Sequence, residues 1–523
     1  MDEGYILSID LGTSGPKVAL FSCEGQFIAY EFERNTVNLL PHGGAEQDPQ
    51  DWWQAIKTAT QRLLARGLAP VVKIEALCCT SQWSGTVAVD RAGKPLMNAI
   101  IWMDARGAPY IQKLTGGLVE VQGYGVLKLL TWLRLTGGVP GHAGKDPIAH
   151  ILYIRHAHPE IYRQTYKFLE PKDYINLCLT GKFAASYDSI TLHWLTDTRD
   201  LSRVDYSERL LRLSGMEREK FPDLRPAVEI LGPLQPSAAQ ELGLHENVQV
   251  VMGTPDLQSA ALGSGAARDY QAHLYIGTSS WIGCHVPRKK TDVFHNLAAL
   301  PSAIPDRYLL CDEQQTSGAC LGFLGDNIFV LKDELLRATG MADIYQAFDC
   351  IAERVPAGSG DLIFTPWLYG ERTPVDDHTV RGGFYNLSLE TRGEHLVRAV
   401  FEGVAYNTRW LFGYVEKFIG RRIEALNAIG GGAKSNVWCQ ILADVLGCEI
   451  HQTRMPILAN ARGAAYLAGV ALGRMRFDDI DSRIEIARRY QPDPEKRKVY
   501  DRLYREFLNI YRHNRAIYAR LNQ

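Results

Sequence analysis

The chain has 523 residues, 46% hydrophobic and 22% charged, with a formal net charge of −2. That length and ordinary composition predict two or more large globular domains, and the near-neutral balance gives no electrostatic footprint for nucleic acid or an anionic membrane as a partner. The ten cysteines form no C-x-x-C pair, which excludes a zinc ribbon and a thioredoxin motif and fits reduced thiols in a cytoplasmic protein; the acidic start lacks the basic-then-apolar order of a signal peptide, and no apolar run reaches about 18 residues.

In chain order, Tyr5 to Ile9 is a short apolar run ending at Asp10, followed by the turn Gly12-Thr13-Ser14-Gly15. Lys17 to Phe21 and Gln26 to Tyr30 read as two further strands, so a β-meander opens the first domain. Asp51 to Ala65 has apolar residues near helical spacing. Leu114 to Lys145 holds eight glycines around an apolar core, Val126 to Leu135, and predicts a mobile excursion with one short helix. Gln249 to Met252 is a β-rich run that leads into Gly253-Thr254-Pro255-Asp256. Leu274 to Ile276 leads into Gly277-Thr278-Ser279-Ser280, and a strand restarts at Trp281-Ile282. Strand, small-residue turn and strand therefore occur twice, a weak internal repeat. It predicts a duplicated α/β domain, residues 1–252 and 253–523. From Pro494, Tyr500, Tyr504, Phe507 and Tyr511 recur at helical spacing, which predicts a helix packed on the core rather than a base-stacking surface.

Four segments carry candidate chemistry. In Asp10 to Lys17, small residues in a tight turn let backbone N–H groups approach phosphate oxygens. Thr13 and Ser14 add hydroxyls, Lys17 a positive charge, and Asp10 a carboxylate suited to Mg²⁺; a plain hairpin turn is the alternative. Gly277 to Ser280 repeats the same turn chemistry, and the pair describes a phosphate clamp built from two hairpins. Ile429 is followed by Gly430-Gly431-Gly432-Ala433-Lys434-Ser435-Asn436. Ser435 is a good helix N-cap there and Gly447 a helix end; flat glycine backbone can lie against an adenine or ribose, and the helix start favours anions. No P-loop and no G-x-S-x-G elbow is present. Asp256, after a strand end, can take a proton from an attacking hydroxyl or can simply cap a helix. His156 and His158 have no third ligand at a suitable spacing, so they read as a solvated helix end. Trp102, Asp104 and Arg106 read equally as a sugar contact or a buried ion pair.

Taken together these segments resemble the FGGY carbohydrate kinases, and within them the xylulose kinases most, over nearly the whole chain. Asp10-Leu-Gly-Thr-Ser-Gly15 and Gly277-Thr-Ser279 are similar to the two phosphate motifs. Glu46-Gln-Asp-Pro49, Asp51-Trp-Trp53, Trp102-x-Asp104-x-Arg106, Pro171-Lys-Asp-Tyr174, Pro366 to Pro374, Gly430 to Asn436 and Gly463-Ala-Ala465 follow in the family's order. The resemblance implies an α/β actin-like ATPase fold of two ribonuclease-H-like domains with a cleft between them, together with ATP, Mg²⁺ and a sugar or polyol acceptor. It implies Asp256 as general base and Asp10 as the magnesium-associated carboxylate. Thr13, Ser14, Lys17, Gly277 and Thr278 would face phosphates, Gly318 would lie near the nucleotide, and Gly431, Gly432, Ala433 and Asn436 would meet the adenosine. Gln82, Trp83, Ser84, Asp104 and Leu257 would join Asp256 around the acceptor. A homodimer is left open.

The departures fall on the sugar side. Xylulose kinases have Gly-Gln-Met-His-Gly where this chain has Ser81-Gln82-Trp83-Ser84-Gly85, and Asn after the base where it has Leu257. Their K-L-x-W stretch aligns with His150-Ile-Leu-Tyr153. The expectation is therefore an acceptor other than D-xylulose, such as another ketose, a pentitol or a cyclitol, met by the flat face and N–H of Trp83 and by the Gln258 amide. Two competing classes remain: a non-catalytic sugar and nucleotide sensor, which the altered sugar residues favour, and an actin-like or chaperone ATPase, which the sugar-kinase segments oppose.

Overall fold

The computed structural model describes residues 4–329, 341 and 343–522. The opening meander forms as expected. Tyr5–Gly12 pairs antiparallel with Gly15–Ser22, which pairs with Phe27–Phe32. Gly12 and Gly15 face each other across the hairpin, and Gly15 has φ +138°, where a Cβ would lie 1.9 Å from the Glu33 carbonyl oxygen. Glycine is required at that position. Ile74–Ser81 and Gln249–Pro255 then add in parallel, and Ile230–Pro233 closes the six-stranded sheet antiparallel.

The second half repeats the plan. Ala272–Ile276, Ser280–Val286 and Tyr308–Gln314 form an antiparallel meander. Ala425–Ile429 and Glu449–Thr453 add in parallel, and Ile486–Tyr490 closes that side antiparallel. Leu297–Pro301 and Thr291–Asp292 extend the other edge to eight strands. The repeat glimpsed in two turn sequences is thus a repeat of whole sheet topology. Each sheet is buried on both faces, which is why its parallel strands read as continuous apolar runs.

Pro49–Ala65 is the first long helix, started by Asp48, whose carboxylate accepts the Gln50 N–H at 2.8 Å. Asn436–Leu446 begins at Ser435, whose hydroxyl accepts the Trp438 N–H, and ends at left-handed Gly447, as the sequence predicts. Pro494–Leu521 buries Tyr500, Phe507 and Tyr511, while half-buried Tyr504 lies under the Arg409 guanidinium at 4.4 Å. Its aromatic residues are core, not a stacking surface.

The glycine-rich stretch 114–145 carries the expected short helix and more regular structure beside it. It holds the short strands Glu120–Val121 and Tyr124–Gly125 and the helix Val126–Thr136. Trp132 is fully buried, and its indole N–H donates to the Trp194 carbonyl at 3.0 Å. The segment is pinned by a partner some sixty positions away, which local composition does not reveal. His156 and His158 sit at the exposed end of Pro147–Ala157, His156 stacked on Tyr110 and His158 at the edge of Tyr153. No cluster of three metal-ligating side chains occurs among the described residues, and no helix there is long and apolar enough to cross a membrane.

Candidate active site

The carboxyl ends of the parallel strands in the two sheets come together where the halves meet, since Asp10 and Asp256 of the first act electrostatically on Tyr275 of the second and Glu313 acts on Asp256. In open α/β sheets this is where ligands bind. The helices Asp256–Gly263 and Ala459–Ala471 cross there at backbone contact. A Cβ on Gly263 would lie 1.7 Å from the Ala459 carbonyl oxygen, and one on Gly463 would lie 1.9 Å from that of Ser259. Ser259 Oγ donates to the Asn460 carbonyl at 2.7 Å, which ties the two helices further.

Asp10, two residues before the end of the first strand, is 2% exposed, with Lys17 Nζ 3.1 Å from its Oδ2. The Thr13 hydroxyl is committed: it donates to Gln82 Oε1 at 3.1 Å and accepts from Trp102 Nε1 at 3.0 Å. Gln82 Nε2 donates in turn to Gln47 Oε1 at 2.8 Å. The first turn is therefore braced by side chains that sequence reading gave to the phosphate and the sugar, while Ser14 is exposed at its tip.

The second turn is built against Gly318. The Gly318 N–H donates to the Gly277 carbonyl at 2.8 Å, and Ala319 and Ser317 donate to that of Thr278. A Cβ on Gly318 would meet the Gly277 oxygen at 2.5 Å, so a larger residue would push the turn away. Thr278 is exposed. At the third segment, Gly430 (φ +88°) and Gly432 pack on Ile276, whereas Gly431 faces open space. Ala433 is buried, and the exposed Asn436 accepts from the Tyr490 hydroxyl at 2.7 Å. These residues link the end of Ala425–Ile429 to the second turn.

Asp256 opens its helix one residue after Pro255, and its Oδ1 accepts the Leu257 N–H at 2.8 Å. It begins the helix without being the N-cap, which is Pro255. Burial, and then the charge of Asp10, push its carboxyl well above the ordinary carboxylate range. Two carboxylates on strands that flank Ile74–Ser81, one held by a lysine and one raised, divide naturally into a charged partner and a proton acceptor.

On the acceptor side, Ser84 has φ +65°, an unusual conformation for a non-glycine residue. It is held there because its hydroxyl donates to the Lys145 carbonyl at 2.8 Å while the Gly85 N–H donates to the buried Glu170 carboxylate at 3.0 Å. Burial pushes the Glu170 carboxyl well up. Trp83 donates its indole N–H to the Ser189 carbonyl at 2.8 Å.

A family model described as the FGGY family of carbohydrate kinases, N-terminal domain, matches residues 5–263, and the corresponding C-terminal model matches 272–472. The chain belongs to the FGGY family of carbohydrate kinases. The kinase is 31% identical over 520 residues to the xylulose kinase of Escherichia coli K12, covering 96% of this chain and 99% of that one. It is 28% identical to the gluconokinase of Bacillus subtilis 168, covering 97% and 96%. The solved xylulose kinase of Lactobacillus acidophilus superimposes with a TM-score of 0.86 at 24% identity, over 99% of this chain and all of that one. The fold is thus the α/β actin-like ATPase fold, and the kinase is a phosphotransferase that moves a phosphoryl group from ATP to an alcohol group of a carbohydrate.

Several acceptor-side expectations change in the folded kinase. The Trp83 N–H is committed to Ser189, and Gln258 is buried at 1% exposure, where it donates to the Pro301 carbonyl at 2.9 Å and accepts from the Ala303 N–H at 3.2 Å. The Leu257 side chain packs with Ala260, Trp281, Ile429 and Ala459. Asp104 is fully buried and takes the Ala45 N–H and the Arg106 backbone and side chain, while Arg106 also reaches Glu46 at 2.6 Å. The ion-pair reading of the Trp102 to Arg106 stretch accounts for both carboxylate oxygens. Residues that the sequence reading passed over also converge on the cleft. Tyr275 and Trp281 stack at 3.7 Å, three residues before and after Thr278. Glu313, paired with Arg372 at 3.2 Å, acts electrostatically on Asp256. An aromatic residue that close to a phosphate turn was a usable signal; Glu313, inside a strand, gave none.

Proposed function

We propose that this carbohydrate kinase transfers the γ-phosphate of ATP to a hydroxyl of a small polyhydroxy acceptor with Asp256 as general base. The observation that carries the reading is Asp256 itself, a carboxylate at a strand end, beside Asp10 and between two small-residue hairpin turns, with its pKa raised by burial. A carboxyl raised above its usual range is a stronger base near neutral pH. In this reading the two turns hold the ATP tail through backbone N–H groups, Ser14, Lys17 and Thr278, and the flat backbone at Gly431 and Gly432, with Ala433 and Asn436, receives the adenosine.

The hard oxygen donors of Asp10 suit Mg²⁺, which takes one or two carboxylates and otherwise phosphate and water. Bound there, the ion would neutralise phosphate charge. Asp256 takes the hydroxyl proton, and the halves close about residues 250–256 to exclude water. Phosphoryl transfer needs this positioning more than it needs covalent chemistry.

D-xylulose is not the preferred acceptor. With Trp83, Gln82 and Gln258 spent on internal partners and Leu257 on packing, few donors remain for a neutral ketose. A buried hydroxyl without its partner costs about 1–3 kcal/mol. The relatives named xylulose kinase and gluconokinase already span a neutral ketose and a sugar acid. A coupled ADP-release screen over pentuloses, hexuloses, pentitols, aldonates, glycerol and inositols tests this. D-xylulose best by roughly 100-fold, about 2.7 kcal/mol, would overturn it.

A further inference from the structure

The acceptor side carries one half-buried ammonium group, that of Lys145, with no hydrogen-bonded or ion-paired acceptor among the described residues. Lys145 lies just ahead of the helix Pro147–Ala157, and its carbonyl is the acceptor for the Ser84 hydroxyl. Ser84 follows Ile74–Ser81, and Ser81 stands opposite Pro255 in the parallel pair of strands. Lys145 and Asp256 therefore flank neighbouring strand ends, and Glu313 acts electrostatically on both.

Lys145 Nζ makes no hydrogen bond and no ion pair among the described residues; it sits 5.1 Å from the centre of the Tyr369 ring, across the cleft. Burial, and then Arg372, lower its pKa. Each nearby carboxylate already has its own partner. Glu313 holds Arg372 at 3.2 Å and Asp376 holds His378 at 3.1 Å. Asp146 accepts the Gly141 N–H at 2.7 Å and the Trp194 indole N–H at 2.8 Å. A solvated surface lysine would need no explanation, but this one is half-buried with three donors and no acceptor. Burying an unpaired cation is costly unless a ligand compensates it.

We propose that Lys145 reads a carboxylate on the acceptor, and hence that the preferred substrate is an acidic polyol of the aldonate class rather than a neutral ketose or alditol. The inference rests on the kinase reading above. One end of the acceptor presents its hydroxyl to Asp256; the other presents its carboxylate to Lys145, in the field of Arg372. The Trp83 ring offers a flat face for the C–H side between them.

The test compares D-gluconate with D-sorbitol, and D-xylonate with xylitol, on the wild type, Lys145→Met and Lys145→Arg. Two readouts are taken: kcat/KM for ADP release, and calorimetric binding in the presence of a non-hydrolysable ATP analogue. In the wild type each aldonate should exceed its matching alditol by at least about 30-fold, the scale of one charge-assisted hydrogen bond. Lys145→Met should bring that ratio to within about threefold of one, and Lys145→Arg should keep most of it. Aldonates that bind the wild type but not Lys145→Met, with no phosphorylation of any compound, would sink the kinase reading and leave the Lys145 assignment standing. Equal or better alditols, a ratio unchanged in Lys145→Met, or no binding of either class would overturn the assignment.

Discussion

Replacing Asp256 with asparagine separates its two jobs. The carboxylate Oδ1 accepts the Leu257 N–H at 2.8 Å, and an amide oxygen can accept the same bond, so the helix start is kept. What is lost is the base. General-base catalysis contributes about 10²–10⁴-fold, which corresponds to roughly 3–5 kcal/mol of barrier at about 1.4 kcal/mol per tenfold. Stability should move the opposite way. The folded pKa of Asp256 is raised, mainly by burial and then by Asp10. The folded state thus binds more protons than the unfolded chain above the ordinary carboxylate range, and stability falls as pH rises through that window. An amide, which carries no charge at any of these pH values, escapes that loss. The variant should show kcat down at least about 100-fold, nucleotide affinity close to wild type, and a Tm above wild type at pH 8, with the gap closing toward pH 4. A coupled ADP-release assay, nucleotide titration and calorimetry at the two pH values measure all three. More than about half of wild-type kcat would remove Asp256 from the role, and a Tm below wild type at pH 8 would contradict the burial argument.

Gly463→Val should cost about 1–3 kcal/mol or more, because its Cβ would meet the Ser259 backbone oxygen and neither helix can yield without opening the junction; thermal unfolding reads it, and an unchanged Tm refutes the packing. Glu170→Ala leaves the Gly85 N–H without its acceptor, a loss of about 1–3 kcal/mol, whereas Glu170→Gln keeps an acceptor oxygen; the first should lower acceptor affinity and Tm and the second should change both little. Equal effects of the two would mean that the charge matters instead. Small-angle scattering should show a smaller radius of gyration with acceptor and an ATP analogue together, and an unchanged radius under saturation would count against closure about residues 250–256.

The turns and helix start proposed to hold the nucleotide were legible as local structure because their signals are local. Small residues between short apolar runs, a positive-φ glycine at Gly15, a serine cap at Ser435 and a glycine stop at Gly447 announce turns and helix ends within a few residues, and the turns Gly12 to Gly15 and Gly277 to Ser280 and the helix after Ser435 form accordingly. The acceptor half was not legible in the same way. Whether the Trp83 N–H, the Gln258 amide or the Asp104 carboxylate is free depends on Ser189, on Pro301 and Ala303, and on Ala45 and Glu46, far away in the chain. In the glycine-rich stretch the expected helix forms at Val126–Thr136, but its anchor was not legible, since Trp132 finds its partner at Trp194. Lys145 belongs to no periodic pattern. Its meaning comes from the carboxylates around it being already paired.

Transfer of phosphorus to an acceptor is followed directly by ³¹P spectroscopy of the reaction. With ATP, Mg²⁺ and the acceptor panel, the γ-phosphorus should appear as a phosphate ester of the acceptor, at a rate that falls to near zero without acceptor and in Asp256→Asn. Appearance of the γ-phosphorus as orthophosphate alone, at the same rate with and without acceptor, would contradict it.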